Sequence, residues 1–559
     1  MHSIVAHAPN STTSQPYSEP GTDTGLPPLS PRTQRRLIYG LLALGVFFRL
    51  FHFFNNRSFF IDELFLNVNI IKMGFRELAT LPFEYEQKAP LGYLWSTRFF
   101  MALFGKQEQA LRLFSLLCGL TGLFLFVPVA RFFLKSWGTV LAVGMLALAY
   151  PAIYHAVEAK QYSAELLGTI VALYLYTKFK DRQSWGAMVA WGVLGGLLPW
   201  FSFPSIFVLA GIGAGVFLRA ALQRDWKRAA QYLVPGALWV LSFGLVFLFF
   251  VSKYKDSGWL TYFFKIKYEG YLPLQPVAAA KWAVVKAYEF LAHPMGVLLQ
   301  VDNSRTYFGL KHVLKMGWLY LPLIVAGAYF FFQRSKEYFL ILFLPLAIAL
   351  LASAASQYPF YQRFTLFLAP AVMLALALGA QELARRFVPS PRVAYVLLAL
   401  VLLPSLANSS RQVLDPDTFY NREYYRETVF FVNDRYQEGD AVYVYWNMRQ
   451  AYDYYRDAYN LKYPATRASL AKNTATSQAD YLRQLQPEFA AFQGKKRLWF
   501  IYDSNNRDAI GDFVDQPAWY HEKAMPPGRL LNEHFSTLGK EVQRFRRGYY
   551  EVVLYELND

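Results

Sequence analysis

Apolar runs of membrane-spanning length recur over the first 408 positions of this chain and stop there. A helix needs roughly 20 apolar residues to cross a bilayer. Eleven segments qualify: 37–54, 111–133, 137–156, 162–179, 187–203, 205–222, 230–251, 316–333, 338–355, 361–380 and 393–408. After residue 408 the period shortens. AVYVYW (441–446), RLWFIYD (497–503) and YYEVVLYEL (549–557) read as strands, and 421–437 and 447–459 as helices. The predicted fold is an all-α polytopic membrane domain of about eleven transmembrane helices, followed by a soluble α/β domain over 409–559. Residues 1–33, rich in Ser, Pro, Thr and Gly, read as a disordered tail. The polar stretch before the first run is too long for a signal peptide, so that run is expected to act as an uncleaved anchor.

Basic residues orient the spans. Arg32, Arg35 and Arg36 precede the first. Arg131 and Lys135 follow the second, Lys178, Lys180 and Arg182 the fourth, and Arg219, Arg224, Lys227 and Arg228 the sixth. Arg334 and Lys336 follow the eighth, and Arg385, Arg386 and Arg392 the tenth. Positive residues stay on the cytoplasmic side. This predicts a multi-pass protein of the cell (inner) membrane, with a cytoplasmic N-terminus and a periplasmic C-terminal domain. The membrane domain, 34–408, then has two long outer loops, 55–110 and 251–315. Stretches 60–73 and 90–104 of the first are amphipathic enough to lie on the membrane surface.

Composition agrees. The 559 residues are 55% hydrophobic, with 49 Phe and 39 Tyr, which excludes an ordinary soluble protein. The net charge of +17 sits mostly in short loops, so it reports topology and contact with membrane lipids rather than nucleic acid. The single cysteine, Cys118, rules out an intramolecular disulfide.

Polar residues gather at the outer mouths of the spans. Asp62 and Glu63 open the first outer loop. Acids beside hydrocarbon are costly unless they pair, ligate or react, although Ser58 and Asp62 both also suit a helix start. Lys88 precedes Pro90-Leu91-Gly92-Tyr93 and can present an ammonium to phosphate, or snorkel to the interface. Arg112 stands at an outer mouth, against the basic bias, which implies a partner. Glu158, Lys160 and Tyr162 crowd the short second outer loop. Tyr361 and Arg363 mark the entrance of the tenth span. Polar residues at four span mouths on one membrane face point to a site. His52, His155 and His293 lack ligand spacing and read as structural. Lys253, Lys255, Lys265 and Lys267, with Tyr254, Tyr262 and Tyr268, line the second long loop and suit either lipid phosphate or a solvated interface.

Taken in order, Asp62-Glu63, Lys88-x-Pro90-Leu91-x-Tyr93, Ala110-Leu111-Arg112-Leu113-x-Ser115, Glu158-Ala159-x-x-Tyr162 and Arg363-Phe364 resemble the GT-C superfamily of polyprenyl-phosphate-sugar glycosyltransferases. The nearest branch is the protein O-mannosyltransferase-like group, which includes bacterial transferases of aminoarabinose to lipid A. The resemblance implies a GT-C-like catalytic domain that moves a sugar from a polyprenyl-phosphate donor to a lipid, glycan or protein acceptor, with inversion. Asp62 would be the base, with Glu63 beside it. Lys88, Arg363, Arg112 and Tyr361 would hold the donor phosphate, and Glu158, Lys160 and Tyr162 would supply the second-loop acid and substrate contacts. No cofactor is firmly implied. A divalent metal between Asp62 and Glu158 stays open. The chain departs from the group at Lys88-Ala89-Pro90 and at Arg363-Phe364. The rival reading is a transporter or flippase of lipid-linked sugar, for which acids and broken helices within the spans are expected.

Overall fold

The computed structural model describes residues 26–253, 258–300, 315, 317–512, 518–521 and 526–558. Most of the expected tail, and Tyr254 and Lys255, lie outside the described residues. Seven helices are long and apolar enough to cross a membrane: Pro31–Asn55, Glu108–Phe133, Ser205–Leu222, Trp226–Phe249, Lys336–Ala354, Gln362–Phe387 and Pro391–Leu414. The pair Ser136–Leu148 and Tyr150–Ala156, bent by 51°, is long and apolar enough only when its two helices are taken together. The chain is therefore a multi-pass membrane protein. The three other predicted spans fall on the helices Tyr162–Phe179, Trp185–Gly196 and Tyr320–Arg334, which are shorter or less apolar than a lone crossing requires.

The bend has a local cause. Pro151 has no N–H to give the carbonyl of Ala147, four residues back. In hydrocarbon such a carbonyl must find another donor. Arg49, buried in the first helix, supplies it: Nη1 donates to Ala147 at 3.2 Å and Nη2 to Leu146 at 3.2 Å. One charged side chain thus stitches two spans together across the break.

Elsewhere the spans pack through small residues. A Cβ on Gly327 would lie 1.8 Å from the Ala375 carbonyl oxygen, and one on Gly379 would lie 1.9 Å from that of Leu323. Only glycine permits so close an approach of the helices Tyr320–Arg334 and Ala369–Phe387.

The C-terminal domain is built on a five-stranded sheet: β1 (Ala441–Val444), β2 (Thr466–Arg467), β3 (Arg497–Asp503), β4 (Gly539–Arg547) and β5 (Tyr550–Leu557), in the order β2-β1-β3-β5-β4. β1 runs parallel to β2 and β3, while β5 runs antiparallel to β3 and β4. Strand alternation sends the two faces to different cores. Tyr443, Phe500, Val553 and Tyr555 pack under the helices Gln478–Phe489 and Arg529–Leu538. Val442, Trp499, Ile501 and Val552 share a core with Phe59, Leu64, Leu66 and Tyr93 of the first long loop. The sheet therefore rests on the same loop that carries Asp62.

Candidate active site

The two amphipathic stretches fold as the helices Ile61–Lys72 and Leu91–Phe104. Asp62 lies in the first turn of the former. Its Oδ2 meets Arg363 Nη2 at 2.7 Å, and both side chains keep about a fifth of their surface accessible (21% and 18%). Arg363 sits on the 3₁₀ turn Gln362–Leu368, at the mouth of the helix Ala369–Phe387. The rings of Tyr162, Phe264 and Phe364 surround its guanidinium at 5.4–5.9 Å, and its Nε has no hydrogen-bond partner. A cation lightly wetted, walled by aromatics and with donor capacity left over is suited to an anion that brings its own oxygens.

Glu63, the next residue, faces the other way. It is fully buried. Arg112 grips both oxygens at 2.9 and 3.0 Å, Arg57 adds a bond of 2.8 Å, and the backbone N–H groups of Phe60 and Ala159 donate as well. Burial pushes the Glu63 carboxyl up, but the Arg112 and Arg57 guanidiniums outweigh it and hold it at about 2. Arg112 also donates to the carbonyl of Arg57 at 2.7 Å and is 1% exposed. Glu63 and Arg112, expected in a reactive and a phosphate-binding role, are thus paired with each other inside the protein. What they do is fix the chain at Arg57–Ser58 and Ala159, the two loops that flank Asp62.

The second outer loop holds a linear polar chain. His155 Nδ1 lies 2.6 Å from Glu158 Oε2, and His155 Nε2 lies 3.0 Å from His293 Nε2. Burial, and then the charge of Glu63, push the Glu158 carboxyl up to about 8. Both ring nitrogens of His155 point along the chain rather than to a common centre. Among the described residues no group of three or more His, Cys, Asp or Glu side chains is arranged to hold a metal. Asp62 is held by Arg363 and Glu158 by His155, so the two acids gather no third ligand.

Lys160 is buried and donates to Gln87 Oε1 at 2.7 Å, and burial lowers its pKa. That bond ties the second loop to the turn carrying Lys88, which is half-buried beside it. Tyr162 is buried against Arg363. The Tyr361 ring lies tilted against that of Tyr268, with 4.4 Å between ring centres. Sequence reasoning missed Arg57, the contact of His155 with His293, and Tyr420, whose hydroxyl donates to Gln362 Oε1 at 2.9 Å. No spacing signals the last two, because their partners come from distant segments, whereas Arg57 lies only six residues from Glu63.

Comparison with known proteins supports the resemblance seen in the sequence. Residues 88–250 match the family described as dolichyl-phosphate-mannose-protein mannosyltransferase. The chain shares the fold of ArnT from Cupriavidus metallidurans in the apo state: TM-score 0.51 and 13% identity, with 94% of this chain and 98% of that one covered. The same protein bound to undecaprenyl phosphate gives a TM-score of 0.48 at 14% identity, with 94% and 98% covered. The oligosaccharyltransferase of Archaeoglobus fulgidus in the apo form gives 0.46 at 11% identity, with 85% and 70% covered. No curated protein sequence matches.

Proposed function

We propose that this chain is a membrane glycosyltransferase that moves a sugar from a polyprenyl-phosphate carrier to an acceptor hydroxyl, at the membrane face holding Asp62 and Arg363. The observation that carries the reading is the 2.7 Å contact between those two side chains, at the end of a bundle of apolar helices. The family match over residues 88–250 supplies the donor class. Asp62 takes the proton of the acceptor hydroxyl as its oxygen attacks the anomeric carbon. The bond from that carbon to the phosphate oxygen breaks, and the phosphate leaves with the electron pair. Attack opposite the leaving group inverts the anomeric centre. Arg363, with Lys88 and the Tyr361 ring at the same mouth, stabilises the charge that grows on the phosphate.

In this reading eleven helices cross the membrane, with the N-terminus cytoplasmic and the sheet domain periplasmic. Neither the family match nor the shared fold favours transport of the lipid-linked sugar. The test is transfer from a labelled polyprenyl-phosphate sugar by the purified chain, with free polyprenyl phosphate measured as the second product. Wild type should release both products in step, and Asp62→Asn should release neither above background. Release of sugar without dependence on Asp62 overturns the assignment.

A further inference from the structure

A cavity of about 460 Å³ lies at the other end of the bundle from Asp62. The helix Tyr162–Phe179 begins beside Arg363 and leads to Lys180 on the cavity wall. Eighteen residues at 1.5 Å each put the two places about 27 Å apart. Lys180, Arg219, Arg334 and Lys336 line the cavity together with Leu218 and Leu222. The nearby carboxylates are already engaged. Glu337 accepts from Tyr176 at 2.7 Å and from Arg219 at 3.2 Å. Asp181 is shared by Lys180, Arg219 and Arg228 at 2.7, 3.7 and 3.9 Å. Five cations thus face two acids. Arg334 gives Nη1 to the carbonyl of Phe133, and neither it nor Lys336 has a carboxylate within 4.0 Å among the described residues. The excess positive charge calls for an anion.

The rim says which kind. Leu222 is 63% exposed, and Phe217, Leu218 and Phe332 stand exposed around it. This surface continues onto the helices Ser205–Leu222 and Tyr320–Arg334. An anion with an apolar tail uses both features, whereas a soluble phosphate leaves the leucine rim wet. We infer that this cavity binds the headgroup of an anionic phospholipid from the leaflet remote from Asp62, with the phosphate on Arg334 and Lys336 and the acyl chains along Leu218 and Leu222. The site is separate from the proposed transfer site and does not depend on it.

The test uses the full chain in a neutral detergent. Phosphatidylglycerol, phosphatidylcholine and inorganic phosphate are titrated separately, with bound lipid read by native mass spectrometry and stability by thermal unfolding. Phosphatidylglycerol should bind and stabilise in preference to phosphatidylcholine. Inorganic phosphate at equal concentration should not reproduce the effect. Arg334→Gln with Lys336→Gln should weaken phosphatidylglycerol binding on the order of tenfold or more, since each basic group near a headgroup contributes. Lys178→Gln with Lys227→Gln, at the same end but outside the cavity, should leave binding unchanged. Arg334→Lys with Lys336→Arg should retain the preference, which guards against a folding defect. Equal binding of the two lipids, equal loss in both neutralised pairs, or full substitution by inorganic phosphate overturns the inference.

Discussion

Asp62 Oδ2 rests 2.7 Å from Arg363 Nη2, so in this structure the candidate base occupies the cation assigned to the donor phosphate. In the proposed reaction a phosphate arriving at Arg363 would compete with that carboxylate and free Asp62 for the acceptor. Asp62→Asn should therefore act in two opposite directions. Removing a general base lowers turnover by roughly 10²–10⁴-fold. Removing the competing anion should tighten binding of polyprenyl phosphate. Paired measurements of transfer rate and of polyprenyl phosphate affinity check this, and weaker binding in Asp62→Asn would show that the two anions do not compete.

Arg363→Met should lose on both counts. A charge-assisted hydrogen bond contributes roughly 1.5–3 kcal/mol, which corresponds to about ten- to a hundredfold in donor affinity or turnover. Lys88→Met should show a loss of the same direction. Unchanged affinity in both variants, with normal folding, returns the two cations to a role at the membrane interface.

Glu63 is the contrasting neighbour. Breaking a fully buried ion pair by removing one partner costs about 3–5 kcal/mol, and Glu63 is shared by Arg112 and Arg57. Glu63→Gln and Arg112→Gln should lower thermal stability and the yield of folded protein. Asp62→Asn, at an accessible position, should not. Equal stability of all three would show that the buried network is dispensable.

The sequence made much of this legible, and its omissions have physical causes. The apolar runs located the seven helices long and apolar enough to cross, and the bent pair, because length and polarity mark them; the other three predicted spans fall on shorter or less apolar helices. The strands at 441–444, 497–503 and 550–557 were visible because both their faces are buried. β4, GKEVQRFRR, was missed because it is an exposed edge strand defended by charges. Asp62 and Arg363 could be named from the chain, but their contact could not, since it depends on helix packing. Glu63 and Arg112 could be named as well, but not their pairing with each other out of solvent. Only burial separates a charge turned to a ligand from one turned to another side chain.

The Glu158 carboxyl predicts a pH dependence. Its folded pKa is raised to about 8 from an ordinary value of 4.5. Between those values the folded chain keeps a proton that the unfolded chain has released. This group's stabilisation is thus complete below about 4.5 and is lost as pH rises toward 8. Glu158→Gln removes the titration. The difference in unfolding temperature between wild type and Glu158→Gln should decline steadily from pH 5 to pH 8. A difference that stays flat across that range would mean that Glu158 is ionised throughout.

The C-terminal sheet region should control the order of the loop that carries Asp62, and Arg426 is the place to test it. Its Nη1 donates to Glu108 Oε1 at 3.0 Å, its Nη2 to the Asn56 carbonyl at 2.7 Å, and its backbone N–H to Ser58 Oγ at 3.1 Å. Glu108 is fully buried, so Arg426→Ala leaves a carboxylate without its main counter-charge. The anchored stretch, Asn56 to Ser58, lies only a few residues before Asp62. Losing the anchor should raise hydrogen exchange over residues 56–63 and lower turnover while the helices remain inserted. Glu108→Gln on its own should have a smaller effect, because a neutral amide can still bond to Tyr459 and Arg426. If the pair acts as a unit, Glu108→Gln with Arg426→Ala should be less damaging than the sum of the two, by about 0.5–3 kcal/mol. Additive losses would mean that Arg426 acts through Asn56 alone. Unchanged exchange over 56–63 would mean that the domain sits on the loop without shaping it.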